Sequence, residues 1–122
     1  KPANVVVSTG AKQSLYNIAQ VMLNNGDEVI LPAPYWVSYY EIIKLSGGVP
    51  VVVETSVESD FKVTAEQLEK AITPKTKAIV PVHLYGHVAN MKEIMDIAAE
   101  HQLYVIEDTA QAIGADYIYQ KK

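Results

Sequence analysis

The chain has neither cysteine nor arginine, and all ten of its basic residues are lysine. Without thiols there is no disulfide framework, thiolate metal site or cysteine nucleophile. Without guanidinium groups, nothing in these residues grips a carboxylate or phosphate in bidentate fashion. Long apolar runs are missing too: the longest span only a few residues, against the roughly 20 that a membrane-crossing helix needs. No leader segment is visible, and no membrane partner is expected. A net charge of −4 without long runs of either sign argues against a nucleic-acid surface. A cytoplasmic home is the expectation for a natural chain; a recombinant or synthetic one has no native compartment. What is present, 49% apolar content in 122 residues, supplies a core for one domain over 1–122 and too little for two.

Strand and helix patterns alternate from end to end. The β-branched residues 5–7 lead into Ser8, Thr9 and Gly10, after which Leu15, Ile18, Ala19 and Met22 recur at helical spacing. Asn25 and Gly26 suit a left-handed cap. Residues 28–31 read as a second strand broken by Pro32 and Pro34, and 38–45 as a helix closed by Gly47 and Gly48. A third strand covers 51–53. Thr64 and Gln67 have capping-box spacing for a helix through Ile72, stopped by Pro74. The fourth strand is 78–82. Asn90 then caps a helix with Met91, Ile94, Met95 and Ala98 on one face, and 103–106 is the fifth strand. Strands separated by crossover helices imply parallel pairing with right-handed connections, hence a layered α/β domain.

Chemistry-bearing residues gather where strands hand over to loops. The fifth strand stops at Glu107 and Asp108, with Gln111 three residues beyond. Open α/β sheets bind ligands at that edge. An ionised Asp there can hold a protonated ring nitrogen while the amide contacts a neighbouring ring oxygen. The turn from Ser8 through Gln13 has small side chains ahead of a helix, whose free amides and dipole favour a phosphate. It lacks the glycine pattern of a P-loop or dinucleotide fingerprint, and taken alone a plain tight turn explains it better. Trp36 at the end of the second strand can stack on a planar ring or serve as packing. His83 and His87 have metal-ligand spacing, but Gly86 spoils the helical geometry and no acidic third ligand is near in sequence; they read as loop histidines with capping or hydrogen-bonding roles. Tyr39, Tyr40, Tyr117 and Tyr119 read as interfacial packing, and Lys75, Lys77, Lys121 and Lys122 as solvated charge.

These stretches together resemble a known constellation. From Asn4 to about Ala78 the chain resembles the large domain of class I aminotransferases of the aspartate aminotransferase type, within the fold type I pyridoxal-phosphate enzymes. The matching stretches are Ser8-Thr9-Gly10-Ala11-Lys12-Gln13-Ser14-Leu15, residues 26–39 with Pro34-Tyr35-Trp36, Gly47-Gly48-Val49-Pro50, Phe61-Lys62-Val63-Thr64, and residues 72–77. The resemblance implies that Gly10, Ala11 and Lys12 form the phosphate cup and that Trp36 stacks on the pyridine ring. From about 79 to 115 the chain is instead similar to the nucleotide-sugar aminotransferases of the same fold type, on Pro81-Val82-His83-Leu84-Tyr85-Gly86, residues 91–99 and residues 105–115. The resemblance implies that Asp108 pairs with the pyridine nitrogen and that Gln111 lies near the ring hydroxyl. A switch of family between Lys77 and Val80 looks like recombination or design.

The families place the Schiff-base lysine on a later segment, and no position among the 122 residues matches it. The arginine that reads a substrate carboxylate is absent as well. The resemblance therefore implies a non-catalytic, designed or recombined α/β mini-domain with no bound cofactor expected; the alternative is a vestigial binder that holds pyridoxal phosphate without a covalent bond. An active transaminase would require residues that are not found. The expected fold is a truncated three-layer αβα domain whose five-stranded parallel sheet closes in the order 3-2-4-5-1. Failing that closure, the exposed edges should drive homodimerisation or strand swapping.

Overall fold

Four α-helices and four strands alternate along residues 1–119, the part of the chain that the computed structural model describes. Lys121 and Lys122 lie outside it. Helix α1 spans Ala11–Met22, β1 Glu28–Ala33, α2 Val37–Leu45 and β2 Val49–Glu54. They are followed by α3 at Ala65–Ala71, β3 at Ala78–Ile79, α4 at Met91–Glu100 and β4 at Tyr104–Val105. β1 pairs with β2, and β3 with β4, both parallel. An isolated parallel bridge between Glu28 and Thr76 brings the two pairs side by side, with the Glu28 amide donating to the Lys75 carbonyl at 3.1 Å. Right-handed crossovers put α2 on one face of these strands and α3 and α4 on the other. Helix α1 packs on α2, and α3 on α4, in agreement. The buried apolar side chains, Leu31, Ile42, Ile43, Leu68, Ile97, Ala98 and Ala112, lie between strands and helices.

The α/β alternation holds, and the two pairs bridged at Glu28–Thr76 follow the 3-2-4-5 part of the expected order, but the described residues show no five-stranded sheet ordered 3-2-4-5-1. The described residues carry two two-stranded sheets, and the expected first strand at 5–7 pairs with nothing. Val5, Val6 and Val7 are 67%, 85% and 91% exposed. A β-branched triplet is stable as a strand only against a neighbouring edge and a packed face, and these three valines have neither. The fourth and fifth strands are also shorter than expected. Pro81 lies between β3 and the isolated Val82–Asp108 bridge that extends the ladder past Ile79.

Other differences concern single residues. β1 runs through Pro32 to Ala33 where a break is expected. In the parallel ladder the Asp27 and Ala33 carbonyls accept from β2, whereas the Glu28 amide points the other way, toward Lys75. Pro32 has the parity of Glu28, so its missing N–H falls on the side that β2 does not use. In α4 the buried pair is Ile97 and Ala98, while Met95 is half-exposed, so the apolar face is rotated by part of a turn. Asn90 stands at the N-cap position of α4 without a capping bond; its Oδ1 accepts from the Tyr117 hydroxyl at 3.0 Å instead.

The capping box at α3 forms as its spacing predicts. Thr64 Oγ1 accepts from the Gln67 amide at 3.2 Å and the Thr64 amide donates back to Gln67 Oε1 at 3.0 Å. Gln67 Nε2 also donates to the Glu54 carbonyl at 3.1 Å, tying the helix start to the end of β2. Thr64→Ala is expected to lower stability by about 1 kcal/mol, and Thr64→Ser by much less. Urea midpoints compared at constant m-value check this, and equal losses from the two variants would deny the cap its role.

Candidate functional site

The Ser8–Gln13 turn is held from within. Gly10 adopts φ +84°, ψ 163°, a conformation closed to residues with a Cβ, and it caps the N-terminus of α1. The Gly10 amide donates to the Ser8 carbonyl at 2.9 Å, and the Thr9 amide to Gln13 Oε1 at 2.6 Å. Ala11 and Lys12 follow as the first exposed residues of the helix.

Lys12 reaches across to the second turn. Its Nζ lies 5.0 Å from the centre of the Trp36 ring, in cation–π range. Trp36 directly precedes α2 and remains 45% exposed, so its indole is not core packing. Three residues on, on the same side of the first turn of α2, Tyr39 meets the indole edge-on, with ring centres 5.4 Å apart and planes at 89°.

The Tyr39 hydroxyl donates to Asp108 Oδ2 at 2.6 Å, and the Ala110 amide donates to Oδ1 at 3.1 Å. Each carboxylate oxygen thus has one donor and keeps acceptor capacity for another. The main chain of Asp108 is fixed as well: its amide donates to the Pro81 carbonyl and its carbonyl accepts from the His83 amide, both at 3.0 Å. Lys12, Trp36, Tyr39 and Asp108 therefore form one continuous line of contacts across the strand ends.

Gln111 stands to the other side. Its carbonyl accepts from the Gly86 amide at 3.1 Å, and its Oε1 faces the Tyr85 amide at 3.4 Å, so the side-chain NH2 is the end left to donate. His83 and His87 make no metal centre: no cluster of three or more ligating side chains exists among the described residues. Both ring nitrogens of His83 are engaged, one by Glu107 and one by the Ala89 amide.

Glu107 and Asp108, adjacent in sequence, go to opposite faces as extended backbone requires. Asp108 turns toward α2, and Glu107 lines a groove with Val88, Met91 and Met95 on the α4 side. Tyr39 is the residue that reading the sequence as packing misses. The available signal was its spacing of three from Trp36 at a helix start.

The sequence model of the DegT/DnrJ/EryC1/StrS aminotransferase family matches residues 2–122. The chain belongs to that family. Among curated relatives, an aspartate aminotransferase of Bacillus sp. (strain YM-2) is 49% identical over 114 residues, 88% of this chain and 29% of the relative. An aspartate/prephenate aminotransferase of Cereibacter sphaeroides is 60% identical over 76 residues, 62% of this chain and 19% of the relative. The crystal structure of a Thermotoga maritima aspartate aminotransferase superposes with a TM-score of 0.80 at 36% identity, covering 89% of this chain and 31% of that one. The chain thus spans about 29% of the length of a matched relative. The family model and the likeness to aspartate aminotransferases both extend over most of the chain. No helix among the described residues is long and apolar enough to cross a membrane.

Burial first, then the hydrogen bond to Asp108 and its charge, push the Tyr39 phenol well above its ordinary value of 10.0. A raised value in the folded state means that the stability contributed by this phenol is intact below about pH 10 and declines as pH rises past that point. Among the eight tyrosines, Tyr39 is expected to ionise last in a phenolate absorbance titration. Tyr39→Phe should remove that final step and lower stability at neutral pH by about 1 kcal/mol; loss of an early step instead would contradict the Tyr39–Asp108 bond.

Proposed function

We propose that these residues form the part of a fold type I aminotransferase large domain that cradles pyridoxal phosphate, and that by themselves they hold it without a covalent bond and without turnover. The observation that carries the reading is the contact line from Lys12 through Trp36 and Tyr39 to Asp108. It collects, at one edge of the strands, a helix N-terminus for an anion, an accessible indole for a flat ring and an oriented carboxylate for a protonated ring nitrogen. The residues fit the group: Gly10, Ala11 and Lys12 would receive the phosphate, Trp36 the ring face, Asp108 the ring nitrogen and the Gln111 amide the ring oxygen. When bound, the pyridine ring acts as an electron sink. In this reading Asp108 keeps that ring protonated and Tyr39 keeps Asp108 aimed. Transamination further needs a placed amine, which no motif in these residues supplies.

We read the meeting of two aminotransferase types near residues 77–80 as recombination. The motifs at residues 81–86 and 105–115 are what support it. We also read the uncovered valines at 5–7 as a segment that seeks a strand partner, in a homodimer or swapped oligomer. A single monomeric species across a hundredfold concentration range in sedimentation would reject that.

Titration with pyridoxal phosphate, followed by absorbance and melting temperature, tests the main reading. Saturable stabilisation is expected, reaching about 2.7 kcal/mol at 100 times Kd, and Asp108→Ala should weaken it by about tenfold or more. Equal binding by the variant removes the ring-nitrogen role. No binding at all leaves a non-catalytic α/β scaffold, and turnover of an amino acid with a 2-oxo acid by the pure protein would overturn the assignment.

A further inference from the structure

We propose that His83 is a positioning residue for Asp108, held as the Nε2-protonated tautomer between the Ala89 amide and the Glu107 carboxylate. The inference rests on the reading of Asp108 as a ring-nitrogen anchor. His83 is 2% exposed, the most buried large side chain among the described residues. Its Nδ1 accepts from the Ala89 amide at 3.1 Å and must therefore carry a lone pair. The proton then sits on Nε2, which donates to Glu107 Oε2 at 2.9 Å.

The same residue grips the next strand through its main chain, its amide donating to the Asp108 carbonyl at 3.0 Å. His83 thus holds two consecutive residues, Glu107 by side chain and Asp108 by backbone. That double hold matters because β4 ends at Val105 and only the isolated Val82–Asp108 bridge continues the ladder. Glu107 and Asp108 point to opposite faces, so pinning Glu107 fixes the rotation of the segment about its own axis. That rotation decides whether the Asp108 carboxylate faces Tyr39 and the open edge beyond it. The α4-side face, which holds no part of the proposed cofactor site, thereby sets the aim of a group on the other face.

Long-range proton–nitrogen spectra of histidine-labelled protein test the tautomer directly: a protonated Nε2 with a bare Nδ1 is expected at His83, and the opposite tautomer overturns the proposal. The positioning role is tested by the preference for pyridoxal phosphate over its analogue with CH in place of the ring nitrogen. Glu107→Ala and His83→Asn, which lose the link between His83 and Glu107, are expected to cut that preference about tenfold, whereas His83→Gln, which restores a donor near Nε2, keeps most of it. Glu107 is half-exposed, so Glu107→Ala decides the matter if His83→Asn fails to fold. An unchanged preference in Glu107→Ala overturns the inference. If the wild-type protein binds neither compound, the cofactor reading falls. Hydrogen exchange at the Asp108 amide then decides the positioning by itself: faster exchange in Glu107→Ala supports it, and equal exchange overturns it.

Discussion

The Tyr39 hydroxyl and the Asp108 carboxylate meet at 2.6 Å although 69 positions separate them in the chain. Everything proposed for the strand ends depends on that bond. It joins a residue on the first turn of α2, set by the exit from β1, to a residue set by the ladder between 82 and 108. A phenol donating to a carboxylate is a charge-assisted bond, short and directional. Because burial already disfavours phenolate at Tyr39, the phenol remains the donor and Asp108 the acceptor. The acid is thus delivered to the sheet edge oriented and with acceptor capacity left over.

The alternation of extended backbone supplies the second constraint. Glu107 and Asp108 are neighbours in the sequence, yet they do not share a site. Asp108 joins Trp36 and Lys12 on the α2 side, while Glu107 engages His83 on the α4 side. Sitting next to each other in the chain kept the two groups apart, and a fold in which they faced one ligand would need a bulge or turn between them.

Much of the local structure was legible because it rests on interactions within a few residues. The α3 capping box depends on two side chains three positions apart, and the starts of α1 and α2 on the glycine and the prolines just before them. The readings that failed all concern partners far away. Residues 5–7 have the composition of a strand and no neighbour to pair with. Pro32 reads as a strand breaker until its register shows that its missing donor falls on the side that β2 does not use. Met95 reads as core until α4 settles with Ile97 and Ala98 inward.

The sequence by itself determined the α/β alternation, the kinship with aminotransferases and the candidate set Gly10, Ala11, Lys12, Trp36, Asp108 and Gln111, because periodicity and motif spacing are local properties. Only the tertiary structure decided which of these stand in one line of contacts, that Tyr39 completes the line, and that the buried His83 ring sits between Ala89 and Glu107. Those facts follow from crossover connections and strand register, which bring distant residues within hydrogen-bond range.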